Sequence, residues 1–146
     1  MINDELLKSA GILLVDDEDA TLRLLEKMLR RAGYTRISGT TDSLDVARLV
    51  AQDQPDLILL DLLMPGKSGL EVLEDLRSII PGDEYLPVIV LTGDARPEPR
   101  LQALLAGAKD FLTKPFDQFE VMLRIHNLLE ARFLFRELRD QATRTA

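Results

Sequence analysis

The sequence predicts a doubly wound α/β domain, a five-stranded parallel sheet with helices on both faces. Three observations lead there. Four-residue apolar runs recur at Ile12-Leu13-Leu14-Val15, Leu57-Ile58-Leu59-Leu60 and Val88-Ile89-Val90-Leu91. Continuous rather than alternating runs mark strands buried on both sides. Amphipathic stretches separate them, and strands alternating with helices indicate a parallel sheet with crossover connections.

Each element has its own warrant. Residues 1–10 form an arm or short helix ahead of the first strand. In 19–32, Leu22, Leu25, Met28 and Leu29 share a helical face, stopped at Ala32-Gly33. Residues 35–39 are a weaker strand candidate. In 43–53, Leu44, Ala47 and Val50 fall at helical spacing, with Asp42 or Ser43 as N-cap. Residues 69–80 carry Leu70, Leu73 and Leu76 and close at Pro81-Gly82. A short helix spans 98–107, with prolines near its first turn, where they are tolerated. Asp110-Phe111-Leu112-Thr113 is the last strand, and 117–139 the longest helix.

Composition narrows the function. At 146 residues the chain fits one domain. Cysteine is absent, which excludes a disulfide scaffold and thiolate zinc sites. A single histidine, His126, makes a polyhistidine centre or a Ser-His-Asp triad a poor expectation. The net charge of −7 and 5% aromatic content argue against direct nucleic-acid binding. The first residues carry Asp4 and Glu5 where a signal peptide is basic. Apolar runs are too short to span a bilayer. A cytoplasmic protein with no membrane association is expected.

The chemistry gathers at the strand ends. Open parallel sheets bind ligands outside the carboxyl ends of their strands. There the sequence delivers Asp16 and Asp17, then Asp61, Thr92 and Lys114. Clustered carboxylates raise one another's pKa or call in a cation. Hard oxygen donors suit Mg²⁺ together with phosphate oxygens. A carboxylate in such a site can be a nucleophile towards a phosphoryl group, with Lys114 and the Thr92 hydroxyl as charge partners.

These residues stand in motifs: Val15-Asp16-Asp17-Glu18, Asp61-Leu62-Leu63-Met64-Pro65-Gly66-Lys67-Ser68-Gly69, Leu91-Thr92-Gly93 and Lys114-Pro115-Phe116. In this order and spacing, over about residues 10–130, the chain resembles a bacterial two-component response-regulator receiver domain. The resemblance implies a (βα)5 flavodoxin-like fold with strand order 2-1-3-4-5. It implies Asp61 as phosphoacceptor, with Asp16, Asp17, Asp61 and the Leu63 main-chain carbonyl holding Mg²⁺. Thr92 and Lys114 match the hydroxyl and ammonium that bind the phosphoryl group. Thr92 and Phe111 match the switch pair, and Lys114-Pro115 a bond that is usually cis. Leu63 and Asp94 match positions that tune the acyl-phosphate lifetime. The implied partners are a sensor histidine kinase or phosphotransfer protein. The surface of the 98–107 helix, the last strand and the last helix would change on activation. Catalysis would be limited to self-phosphorylation and self-dephosphorylation, so the chain is not read as an enzyme.

Other readings of the same residues stand beside these. Asp17 or Asp19 can cap a helix, Thr92 can be a turn residue, and Phe111 a plain core aromatic. Gly66-Lys67-Ser68 mimics a phosphate loop, but Asp61 stands where that loop needs glycine. Position 63 is Leu, against an Asp-x-Asp phosphatase. His126 reads as a surface or packing residue. The alternative function is a phosphorylation-independent dimerisation or docking module. Taking 11–130 as the receiver domain leaves 131–146 as a helical extension or linker. Phe133, Leu134, Phe135 and Leu138 continue an apolar stripe there. That stripe either folds back on the domain or pairs with a second protomer or an output domain. In relatives, a pattern like Arg124 followed by Asn127-Leu128-Leu129-Glu130 often precedes domains acting on cyclic dinucleotides.

Overall fold

The computed structural model describes residues 3–82, 84–93 and 96–145. A short helix α1 (Asp4–Lys8) leads into β1 (Gly11–Val15), α2 (Asp19–Arg31) and β2 (Arg36–Thr40). Then come α3 (Val46–Asp53), β3 (Leu57–Asp61), α4 (Gly69–Ile79) and β4 (Val88–Thr92). The chain closes with α5 (Pro97–Leu105), β5 (Asp110–Thr113) and α6 (Gln118–Thr145). The five strands form one sheet in the order β2-β1-β3-β4-β5, every neighbouring pair parallel. This is the flavodoxin-like topology.

The apolar runs are strands because helices cover both sheet faces. All five residues of β1, β3 and β4 are buried. Their side chains alternate between two cores. Ile12, Leu14, Leu57, Leu59, Ile89 and Leu91 face one, with Leu25 and Leu29 of α2 and Val121, Ile125 and Leu129 of α6. Leu13, Val15, Ile58, Leu60, Val88 and Val90 face the other, with Val46 of α3, Val72, Leu73 and Leu76 of α4 and Ala103 of α5. Each fully buried leucine or isoleucine contributes roughly 1.5–3 kcal/mol of transfer free energy. The N-terminal segment joins this packing: Asn3 caps α1 by accepting from the Leu6 N–H, and Leu7 is buried in the first core.

β2 lies one residue on from the expected 35–39, and three helical segments differ further from the sequence expectation. Residues 43–53 are not one helix. Asp42 accepts from the Leu44 N–H at 3.0 Å, which starts a 3₁₀ turn over Ser43–Asp45 before α3 begins. The short helix is α5, which includes Pro97 at its start and ends at Leu105. The last helix runs beyond residue 139 to Thr145.

The extension of α6 is tied to the domain at its far end. Asp56, just before β3, is buried. Its Oδ2 accepts from the Gly11 N–H at 2.9 Å, and its Oδ1 accepts from Arg132 Nε at 2.9 Å and Arg136 Nη1 at 3.1 Å. Arg132 Nη1 also donates to the Tyr85 carbonyl at 2.6 Å. Phe133 lies in the core and Phe135 packs against the Tyr85 ring, while Leu134 and Leu138 remain exposed. The apolar stripe is therefore divided: part folds back on its own domain and part faces outward.

Candidate functional site

Parallel register sets the C-terminal ends of the central strands side by side. Val15 pairs with Leu60, Asp61 with Leu91 and Thr92 with Thr113. The residue at or just after each strand end is thereby delivered to one edge. Asp16 follows β1, Asp61 ends β3, Thr92 ends β4 and Lys114 follows β5. The Lys114 N–H donates to the Thr92 carbonyl at 2.8 Å, which extends the β4–β5 ladder to the lysine.

The loop after Asp61 is pinned by α4. A capping box fixes that helix: the Ser68 hydroxyl accepts from the Glu71 N–H, and Glu71 accepts from the Ser68 N–H. Its first residue must be glycine. A Cβ on Gly69 would lie 2.5 Å from the Asp61 carbonyl oxygen and 2.7 Å from Leu62 Cα. Gly69 instead donates its N–H to the Leu62 carbonyl at 3.0 Å. Lys67, the decoy of the phosphate-loop mimic, is ion-paired with Asp75 of α4.

The structure brings Asp16, Asp17 and Asp61 together. One carboxylate oxygen from each lies within 4.8 Å of the others. Asp16 and Asp61 are buried and Asp17 is exposed, so the cluster is open on one side. Asp16 Oδ1 accepts from the Glu18 N–H at 2.9 Å, which orients the carboxylate. Neither Asp17 nor Asp19 caps α2: its N-cap is Glu18, without a side-chain cap bond. Asp61 Oδ1 receives a long contact of 3.4 Å from the Leu63 N–H, so the Leu63 backbone borders the carboxylate while its side chain is exposed.

Lys114 supplies the positive charge. Its Nζ is 3.0 Å from Asp16 Oδ2, 3.7 Å from Asp61 Oδ1 and 3.8 Å from Glu18 Oε1. Burial alone would lower the lysine's pKa, but contact with Asp16 and the charges of Asp61, Asp16 and Glu18 raise it. One ammonium does not balance the acids. Burial, then the charge of Asp16 and a bond with Asp17, push Asp61 up to about 7 against the opposing pull of Lys114 and the Leu63 N–H.

The donor set fits a hard divalent cation. Asp16 Oδ2 is buried, and its contact among the described residues is the ion pair with Lys114 Nζ at 3.0 Å. One ammonium leaves this oxygen a second lone pair, beside two further carboxylates. Clustered oxygen donors open to solvent on one side are what Mg²⁺ uses while keeping several waters. The acidic pocket is thus compatible with Mg²⁺ and with phosphorylation of an aspartate.

The other expected residues are placed as follows. Thr92 is buried at the end of β4. Phe111 is half-buried on β5 and packs against the second core, with guanidinium groups close to its ring. The Lys114–Pro115 bond is cis. His126 faces Glu130 one turn on, outside the site. Asp94 lies outside the described residues. Sequence reading assigned no role to Glu18 beyond its place in the acidic motif, or to Asp56 and Arg100. The only signal for Glu18 was its adjacency to the acidic pair.

Comparison with known proteins agrees with this geometry. The family model described as the response regulator receiver domain matches residues 12–126. The response regulator PleD of Caulobacter vibrioides is 40% identical over 134 residues, covering 91% of this chain and 29% of PleD. The response regulator MprA of Mycobacterium leprae is 42% identical over 118 residues, covering 81% of this chain and 50% of MprA. The chain therefore spans half or less of these relatives' length. Among solved structures, the receiver domain of a signal transduction histidine kinase from Syntrophus aciditrophicus superimposes with a TM-score of 0.74 at 29% identity, covering 84% of this chain and 92% of that one.

Proposed function

This chain belongs to the family of response regulator receiver domains of two-component signalling, and on that premise we propose that it is a switch thrown by phosphorylation of Asp61. The observation that carries the reading is the meeting of Asp16, Asp17 and Asp61 with Lys114 at one sheet edge. A docking module has no use for three mutually repelling acids around a lysine.

A carboxylate oxygen of Asp61 attacks the phosphorus of a phosphohistidine on a sensor kinase or phosphotransfer protein, or of a small phosphodonor. The bond to the leaving group breaks with its electron pair, and an acyl phosphate forms on Asp61. Water later attacks phosphorus, releasing inorganic phosphate and returning the carboxylate. Mg²⁺ bound by Asp16, Asp17, Asp61 and the Leu63 carbonyl would neutralise the acids and the phosphoryl oxygens. Asp61 must be ionised to attack, and its raised pKa shows how poorly the cation-free cluster tolerates that charge. Lys114 turns from Asp16 to a phosphoryl oxygen. The Thr92 hydroxyl donates to another, and Phe111 shifts with it. Positioning and charge compensation of this kind carry most of phosphoryl-transfer catalysis.

The output is a change in partner preference on the face made by α5, β5 and α6. Exposed Leu134 and Leu138 on the far half of α6 offer a second contact, for another protomer or an output domain. Among the described residues no helix is long and apolar enough to cross a membrane, and we place the protein in the cytoplasm. The test is intact mass after incubation with acetyl phosphate. Wild type should gain one phosphoryl group only when Mg²⁺ is present, and Asp61→Asn none. Equal gain in Asp61→Asn would overturn the assignment.

A further inference from the structure

Phe111 is gripped by a residue of another element. The Arg100 guanidinium of α5 lies 4.2 Å from the centre of its ring. Arg124 of α6 approaches the same ring at 5.9 Å. The two arginines are held very differently. Arg124 Nη1 donates to both carboxylate oxygens of Asp110, at 2.7 and 2.8 Å, and its Nε to Glu120 at 3.4 Å. Among the described residues Arg100 has a single hydrogen bond, from Nη2 to Thr113 Oγ1 at 2.7 Å. Its Nε is buried with no hydrogen-bond partner among the described residues.

Arg100 therefore touches β5 at two alternate residues, Phe111 and Thr113. Thr113 precedes Lys114 and pairs in register with Thr92. The guanidinium spans the stretch of strand between the aromatic ring and the residues that face the acids. An arginine with a purely structural role satisfies its buried donors, as Arg132 does with Asp56 and the Tyr85 carbonyl. A buried donor left unpaired marks a seat that is favoured by some contacts and opposed by another.

We propose that Arg100 is a positioning residue that latches Phe111 in the unphosphorylated state, and that releasing this latch carries the signal from the strand ends to α5. The proposal rests on the reading of Phe111 as the moving aromatic. The cation–π contact favours one ring position only, so it biases the equilibrium between two states. When the ring leaves, Arg100 loses that contact and its buried Nε is freed to find water or an acceptor. Arg100 is followed directly by Leu101, exposed on the same helix as Leu104 and Leu105. A change at Arg100 therefore reaches a surface that a partner can read.

The test uses the full chain with labelled phenylalanine, followed by NMR. The chain has five phenylalanines, and Phe111→Leu assigns the resonance. Beryllofluoride with Mg²⁺ serves as a stable phosphoryl mimic. In wild type the Phe111 resonance should move on titration. In Arg100→Gln it should start part-way to the mimic-bound position, and mimic affinity should rise about two- to fivefold, the range a half-exposed cation–π contact supplies. Thr113→Val should shift both in the same direction by less. Arg100→Lys, which keeps a cation near the ring, should fall between wild type and Arg100→Gln. If the resonance stays fixed in wild type while other signals respond, the reading of Phe111 fails and the latch with it. If it moves in wild type, but Arg100→Gln and Thr113→Val match wild type in free position and affinity, the latch alone is overturned.

Discussion

Lys114 Nζ sits closer to Asp16, at 3.0 Å, than to Asp61, at 3.7 Å. The lysine that should serve the phosphoryl group is thus, in the unmodified chain, the counter-ion of a buried acid on the neighbouring strand. It occupies space and charge that a divalent cation would take over.

Lys114→Ala should therefore leave Mg²⁺ binding intact or tighten it severalfold. The ammonium and the cation compete for Asp16, and like charges within about 4 Å interact by several kcal/mol at the effective dielectric of a partly buried site. The same variant should lose the conformational response to beryllofluoride. Calorimetric titration with Mg²⁺ checks the first outcome. A large loss of affinity would show that Lys114 supports the metal site rather than competing with it.

The raised pKa of Asp61 makes a pH-dependent stability difference in chelator. The group titrates near 3.8 when unperturbed and near 7 in the fold. Between those values the unfolded chain releases the proton and the folded chain keeps it, so stability falls as pH rises and levels off above about 7. Asp61→Asn abolishes this cost. Its melting temperature should exceed that of wild type by more at pH 8 than at pH 5. Mg²⁺ should narrow the gap by binding the folded wild type. A gap that does not grow with pH would contradict the origin assigned to the shift.

Asp56 and its arginines make a separate prediction about stability. Asp56 is 5% exposed and Arg132 8%, so Asp56→Ala leaves a buried guanidinium without its carboxylate. Breaking a buried pair costs about 3–5 kcal/mol. Arg136 has a 43% exposed side chain, and Arg136→Ala should cost no more than about 1 kcal/mol. Urea melts of both variants check the contrast. Equal losses would mean that the cluster is not what fixes the far half of α6.

The distribution of burial explains what the sequence revealed. β1, β3 and β4 were legible as unbroken apolar runs because both of their faces are covered. β2, with the sequence Arg-Ile-Ser-Gly-Thr, lies at the sheet edge with no fully buried residue, and it read weakly and one residue out of place. The 3₁₀ turn at Ser43–Asp45 was hidden because Asp42 and Ser43 are equally good caps from sequence. The acids, Thr92 and Lys114 were legible because each stands at the end of its strand or within two residues beyond it, so strand order alone brings them together. The Asp56–Arg132 pair was not, since the two are 76 residues apart and neither belongs to a motif. Arg100 was hidden for a similar reason: its contact with Phe111 depends on how α5 lies against β5, which no local pattern encodes.

The central claim is that Asp61 itself carries the phosphoryl group, and site mapping tests it most directly. Wild-type protein treated with acetyl phosphate and Mg²⁺ would be reduced with borohydride, which converts an aspartyl phosphate to homoserine, then digested and read by tandem mass spectrometry. Homoserine at position 61 alone is the expected result. Homoserine at Asp16 or Asp17 with Asp61 unchanged would contradict it.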